Sequence, residues 1–259
     1  MCIRITFLID YKCKVGEINE AHHLFKMMTL KGVEPDIITY STFINGYCMQ
    51  GCMKVAKWFF DSMVGRGHGA DIVAYNTLIN GYCKAKKLHE ATQILCEIQC
   101  NGLTPNTSTY TALISGFCKV GKMSKAKDLF KEMIARGEMP NLLTCSTLLS
   151  GLATNDCFDE AMGLYNVLEK NGMEADTVIH NIMIDGMCKA GKLFAAKEFF
   201  YNRASKTLVR STRTYNIMIN AFCKKGMLNE AQEFFKEMIE KGVSPDDTTI
   251  EILLHGFVL

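Results

Sequence analysis

The stretch Val73–Ala91 reads VAYNTLINGYCKAKKLHEA, and Arg213–Ala231 reads RTYNIMINAFCKKGMLNEA. In the first, Tyr75, Leu78, Ile79, Tyr82 and Cys83 recur at i, i+3, i+4, i+7 and i+8, the spacing of one buried helix face. Asn76, Asn80 and Lys84 form a second, polar stripe on the same helix. The second stretch repeats the pattern of the first in register 140 residues on, which is four times 35. A fixed period of this size marks a repeat array whose units stack. The sequence therefore divides into units at 2–36, 37–71, 72–106, 107–141, 142–176, 177–211 and 212–246, without insertion or deletion, and a partial eighth at 247–259.

The anchors of the period are physical. The twentieth place is Ala in all seven units (Ala21, Ala56, Ala91, Ala126, Ala161, Ala196, Ala231), a helix former that lets two helices approach closely. The thirty-first place is Gly in six, with Thr207 the exception, as a helix C-terminal stop requires. Each unit then reads as two helices. In the fourth, Tyr110, Leu113, Ile114, Phe117 and Cys118 face the core from the first helix, Gly121 turns the chain, and Met123, Ala126, Leu129, Phe130 and Met133 face it from the second. Pro140 and Asn141 punctuate the link to the next unit. The predicted fold is all-α, a right-handed α-solenoid of helical hairpins. A single hairpin buries too little surface to offset its ordering entropy, so neighbouring units must share a core.

Composition narrows the function. With 29 basic and 27 acidic residues, the net charge of +2 excludes a strongly basic nucleic-acid coat but permits a local basic line. No apolar run is long enough to span a bilayer, so no membrane partner is expected. Cysteines 13, 48, 83, 118, 188 and 223 stand 35 residues apart, with Ala153 breaking the ladder, and read as small core residues in a reducing compartment. Cys48/Cys52 and Cys96/Cys100 have a spacing that could share a metal, but no His or further Cys completes four ligands, and no metal or other cofactor is expected. The histidines at 22, 23, 68, 89, 180 and 255 fall at unrelated places, His180 standing in the core Tyr place. No nucleophile motif, phosphate loop or carboxylate pair stands out, so catalysis is not expected.

The polar stripe is as regular as the core. The fifth place holds Thr6, Ser41, Asn76, Thr111, Ser146, Asn181 and Asn216. Asn, Ser and Thr compete with the helix backbone for hydrogen bonds, so their exclusive use on a helix needs a reason. Four residues on come Asp10, Asn45, Asn80, Ser115, Ser150, Asp185 and Asn220, and four further on Lys14, Lys84, Lys119, Lys189 and Lys224, with Met49 and Thr154 at the other two. The last place holds Asp36, Asp71, Asn106, Asn141, Asp176, Ser211 and Asp246. Helix capping is the simpler account of the last place, but it leaves the fifth unexplained. Short side chains with fixed donors and acceptors suit the edge of a base.

The units resemble pentatricopeptide repeats of the P class across residues 2–246: the front of each is similar to V-V-T-Y-N-T-L-I-x-G-x-C-K-x-G and the back to G-x-x-P-D. ALISGFCKVGK and IMIDGMCKAGK are similar to the plant restorer-of-fertility-like subgroup. The resemblance implies sequence-specific binding of single-stranded RNA, one base per unit, by the fifth and last residues. Carried over, Thr6/Asp36 and Ser41/Asp71 imply G, Asn76/Asn106 C or U, Thr111/Asn141 A, Ser146/Asp176 G, Asn181/Ser211 C and Asn216/Asp246 U. The implied target is 5′-GG(C/U)AGCU-3′. The second residue of each unit clamps the base planes: Ile3, Ile38, Val73, Ser108, Leu143, Val178 and Arg213, of which Ser108 and Arg213 depart from the family's aliphatic pattern. Lys14, Lys84, Lys119, Lys189 and Lys224 are placed to meet phosphates. The resemblance further implies a monomer acting in organellar RNA processing, stability or translation, in mitochondrion or plastid, with other RNA-processing proteins as partners. MCIRITFLIDYKCK carries no visible targeting peptide, Ile5 replaces the usual Tyr, and Ile250, Leu253, Leu254 and Phe257 have no second helix to cover them, so a fragment of a longer protein is expected. The rival reading is an α-solenoid scaffold that binds a peptide.

Overall fold

The computed structural model describes the backbone of residues 2–172, 176–202 and 210–258, and the side chains of 5–172, 176–201 and 210–256. The described residues form α-helices joined by short turns. First helices are α1 (Cys2–Lys14), α3 (Ile37–Met49), α5 (Ile72–Lys84), α7 (Thr107–Lys119), α9 (Leu142–Thr154), α11 (Thr177–Lys189), α13 (Thr212–Lys224) and α15 (Asp247–Val258). Second helices are α2 (Ile18–Leu30), α4 (Met53–Gly65), α6 (Leu88–Cys100), α8 (Met123–Ala135), α10 (Phe158–Lys170), α12 (Leu193–Asn202) and α14 (Leu228–Glu240). Every first helix begins 35 residues after the one before. The architecture is an all-α helical-repeat solenoid.

Contacts divide the chain into Met1–Thr144 and Cys145–Leu259. In the first part, α1 packs on α3, α3 on α5 and α5 on α7, and each first helix also packs on the second helix that follows it. In the second part α11 packs on α12 and α13, and α13 on α14 and α15. The ten apolar residues assigned to the core of the hairpin α7–α8 are all buried. His180 takes the Tyr place as expected and stacks on Phe199 with ring centroids 4.8 Å apart. The twentieth-place alanines are fully buried, where a larger side chain would hold the helices apart.

Successive first helices meet through the tenth and twelfth places. A Cβ added to Gly81 would lie 2.6 Å from Cys48 Sγ, and one added to Gly116 would lie 2.6 Å from Cys83 Sγ. Gly46 faces Cys13 in the same way at 3.0 Å, and Gly186 faces Ala153 at 3.0 Å. The cysteine ladder is thus half of a two-residue seam, small thiol against missing side chain. Cys13, Cys48, Cys83 and Cys118 are buried, and Cys188 and Cys223 are half-buried. Cys48 is buried while Cys52, Cys96 and Cys100 are exposed.

The turn between the helices of a unit needs a residue in the left-handed region. Gly16, Gly51, Gly121, Gly191 and Gly226 supply it, with φ from 70° to 86°. Lys86 and Asp156 stand at the same place with φ of 58° and 59°, a conformation that disfavours a Cβ.

Candidate functional site

The last residue of each unit is first of all a cap. Asp36, Asp71, Asn106, Asn141, Asp176 and Asp246 each accept the backbone N–H three residues on at 2.8–3.1 Å, and Ser211 does so at 3.4 Å. Every one therefore occupies the N-cap of the next first helix, and the capping account of this place holds. Capping fixes the side chain: one oxygen points at the helix N-terminus, and the other polar atom is held beside it. The Asp246 carboxyl is held below its ordinary value by the Thr249 N–H, then by the side chains of Asn216 and Thr249.

The fifth place lies directly against that cap. Asn76 Nδ2 donates to Asn106 Oδ1 at 3.2 Å, and Asn216 Nδ2 donates to Asp246 Oδ1 at 3.0 Å. In these two units the fifth and last residues, 30 positions apart in sequence, thus meet as a pair. The fifth place is not a solvated position: Thr6, Thr111, Asn181 and Asn216 are buried, and Ser41, Asn76 and Ser146 half-buried. Burial without a partner costs a polar group dearly, so each needs one.

For Thr6, Asn76, Thr111 and Asn216 the partner is the third residue of the following unit, a place the sequence pattern did not single out. That place holds Thr39, Thr109, Thr144, Thr214 and Thr249, all buried, and Ala74 and Ile179 in the other two units. The Thr6 and Thr39 hydroxyls are 3.0 Å apart, and those of Thr111 and Thr144 2.8 Å. Thr109 lies 2.7 Å from Asn76 Oδ1, and Thr249 2.8 Å from Asn216 Oδ1. The signal was present as a recurrent buried Thr in the first turn of a helix, where an aliphatic residue would pack as well.

Asn181 breaks the pattern. It is 7% exposed, and its Oδ1 is buried with no hydrogen-bond partner. It lines a cavity of about 420 Å³ together with Val178, Ser211, Arg213, Ser150 and Asp185. The cavity brings together the second, fifth and last residues of one unit and the second residue of the next.

The second place is open. Ile38, Val73, Leu143 and Val178 are 62, 65, 64 and 55% exposed, and Ser108 and Arg213 are exposed as well. The side chain of Ile3 lies outside the described residues. Large aliphatic side chains at one recurring place, exposed beside buried polar pairs, are not explained by the core.

Of the lysines, Lys14 is paired to Asp10 and Lys189 to Asp185, both at 2.6 Å and both at i,i+4. Lys84, Lys119 and Lys224 are exposed and form no ion pair among the described residues. The difference is set by the ninth place, Asp in two units and Asn or Ser in the rest. The five expected phosphate ligands therefore split into two that are neutralised on their own helix and three that are not.

The profile of the PPR repeat family matches residues 5–49, 70–119, 105–154 and 210–258. Profiles of the PPR repeat match 38–68, 143–173 and 171–200. No curated protein matches the chain significantly. Among solved structures the chain is similar to the pentatricopeptide repeat protein PPR10 from maize, with 24% identity and a TM-score of 0.67 over 99% of this chain and 42% of that one. It is similar to PPR10 in complex with an 18-nucleotide psaJ RNA element, with 21% identity and a TM-score of 0.66 over the same shares. It is also similar to a tetratricopeptide repeat protein from Parabacteroides merdae, with 14% identity and a TM-score of 0.55 over 98% of this chain and 99% of that one. At these identities the likenesses bear on the fold alone. The chain spans 42% of the length of the PPR10 structures.

Proposed function

Since the chain belongs to the pentatricopeptide repeat family, we propose that it binds single-stranded RNA in a sequence-specific way, one base to each pair of fifth and last residues. The observation that carries this reading is the cavity at Val178, Asn181, Ser211 and Arg213, with an unpartnered acceptor in its wall. A base entering between the second-place side chains would offer that acceptor a donor, as the exocyclic amine of cytosine does. The exposed aliphatic residues Ile38, Val73, Leu143 and Val178 clamp base planes, which every base has, and the pairs supply the edge contacts that differ between bases. Arg213 stacks on a base or meets a phosphate. The target is 5′-GG(C/U)AGCU-3′, and the chain is a binder rather than a catalyst.

The chain is of the P class and similar to the restorer-of-fertility-like subgroup. It acts as a monomer in the processing, stability or translation of a plant mitochondrial or plastid transcript, alongside other RNA-processing proteins. The likeness to PPR10, whose structure with an RNA element is known, supports the RNA reading. The rival is an α-solenoid scaffold that holds a peptide. Gel-shift titration with the target, with a scrambled strand and with a duplex of the target separates them. Tight binding to the target alone is the expected result. Equal binding to all three, or none, overturns the reading.

A further inference from the structure

The hydrogen bonds around Asn76 close a ring. The buried Thr109 oxygen accepts the Asn106 backbone N–H at 3.1 Å. Its one hydroxyl proton has two acceptors in reach, Asn76 Oδ1 at 2.7 Å and Asn106 Oδ1 at 3.0 Å, and the shorter is on Asn76. Asn76 Nδ2 then donates to Asn106 Oδ1, which also accepts the Thr109 N–H at 3.1 Å. Around Asn216 the ring is the same: Asp246 N–H to Thr249, Thr249 hydroxyl to Asn216 Oδ1 at 2.8 Å, and Asn216 Nδ2 to Asp246 Oδ1 at 3.0 Å.

An asparagine amide reversed about its last bond exchanges a carbonyl for an NH₂ with almost no change of shape. In both rings the carbonyl is taken by the threonine, so one amide hydrogen of the NH₂ stays outside the ring. Beside Asn216 the ring also leaves out Asp246 Oδ2. A donor next to an acceptor complements the uracil edge, whose ring N–H lies beside a carbonyl.

Around Asn181 the ring is incomplete. Thr214 lies 3.1 Å from Ser211 Oγ and leaves Asn181 Oδ1 without a partner. Ala74 and Ile179 stand at the third place after the pairs Ser41/Asp71 and Ser146/Asp176, and neither carries a hydroxyl.

We propose that the third-place threonine is a positioning residue for the pair in the preceding unit: Thr109 and Thr249 hold the amides of Asn76 and Asn216 with NH₂ toward the base. The proposal rests on the RNA-reading function above. It adds a third residue, contributed by the neighbouring unit, to the determinants of base choice.

The test uses the full chain and two sets of four RNAs, varied only at the third or only at the seventh base of the target. The variants are Thr109→Val, Thr109→Ser, Thr249→Val and Thr249→Ser. Val keeps the shape and removes the hydroxyl, and Ser keeps the hydroxyl. The unaltered chain should rank pyrimidines above purines at the third base by roughly tenfold or more. Thr109→Val should compress that ranking to within about threefold and leave the seventh base unaffected. Thr249→Val should do the reverse, and the Ser variants should keep both rankings. Far-UV circular dichroism checks each fold. Should one Val variant fail to fold, the other decides, together with Ser211→Asp, which completes the third ring and should turn the sixth base from C to U only while Thr214 is present. Val variants that keep the full ranking, or Ser variants that lose as much as Val, overturn the proposal alone. An unaltered chain with no base ranking overturns the RNA reading, and the proposal falls with it.

Discussion

Thr111 and Asn141 show what one unit's chemistry rests on. The Thr111 hydroxyl donates to the Thr107 carbonyl at 2.7 Å, and the Asn141 amide oxygen caps α9. Thr111→Asn with Asn141→Asp recreates the donor and acceptor of Asn216/Asp246, with Thr144 in place of Thr249. The preferred fourth base should change from A to U, with the wrong base costing about 1–3 kcal/mol. Titration of four RNAs differing at that base measures it, and an unchanged order would show that the pair does not read. Lys86 offers a second single-residue test. Its φ of 58° is unfavourable for a side chain and natural for glycine. Lys86→Gly should therefore stabilise the chain by about 0.5–1 kcal/mol in urea unfolding, despite the looser unfolded chain. The fifth and last places were legible in the sequence because their side-chain types are so restricted. The third was not, because a buried Thr in the first turn of a helix passes for core filling until its hydroxyl is seen 33 residues away on Asn76.

At the scale of helices, the seam of glycine and cysteine decides how closely α3, α5 and α7 approach. Gly81→Ala puts a Cβ within 2.6 Å of Cys48 Sγ and 2.8 Å of Met53 Cε, atoms that are themselves buried. Overpacking of this kind costs roughly 1–3 kcal/mol, read as a lower urea midpoint. Gly65→Ala, where nothing lies within 4 Å, serves as the control. Burial also pushes the thiols of Cys48, Cys83 and Cys188 up to about 12, and those of Cys13 and Cys118 up to about 11, from an ordinary 9.0. Unfolded, these thiols ionise above 9; folded, they keep their protons. Stability from this source is complete below pH 9 and is lost as pH rises toward 11–12. Urea midpoints should fall between pH 8.5 and pH 10, and fall less when Cys48 and Cys83 are replaced by Ala. The ladder itself was plain in the sequence. What it packs against was not, because an absent side chain leaves no pattern on a hydrophobic face.

Over the whole molecule, a net charge of +2 leaves the proposed binding of RNA to local cations. Counting all five thirteenth-place lysines overstates them, since Asp10 and Asp185 already neutralise two. The sequence held this information as an Asp four residues before a Lys, and only the geometry of the folded chain separates such a spacing from a contact. Replacing Lys84, Lys119 or Lys224 by Gln should each reduce the slope of log affinity against log salt by about 0.7, the single-strand value for one phosphate contact. Lys14→Gln and Lys189→Gln should change it by much less, and equal effects for all five would refute the division. The seam between Gly81 and Cys48 reaches beyond packing into how such a chain can vary. One residue inserted into a first helix would swing everything after it by about 100° and carry the glycine away from its thiol. Within a first helix, length is therefore held fixed, and a chain of this design grows by whole hairpins that keep the seam in step.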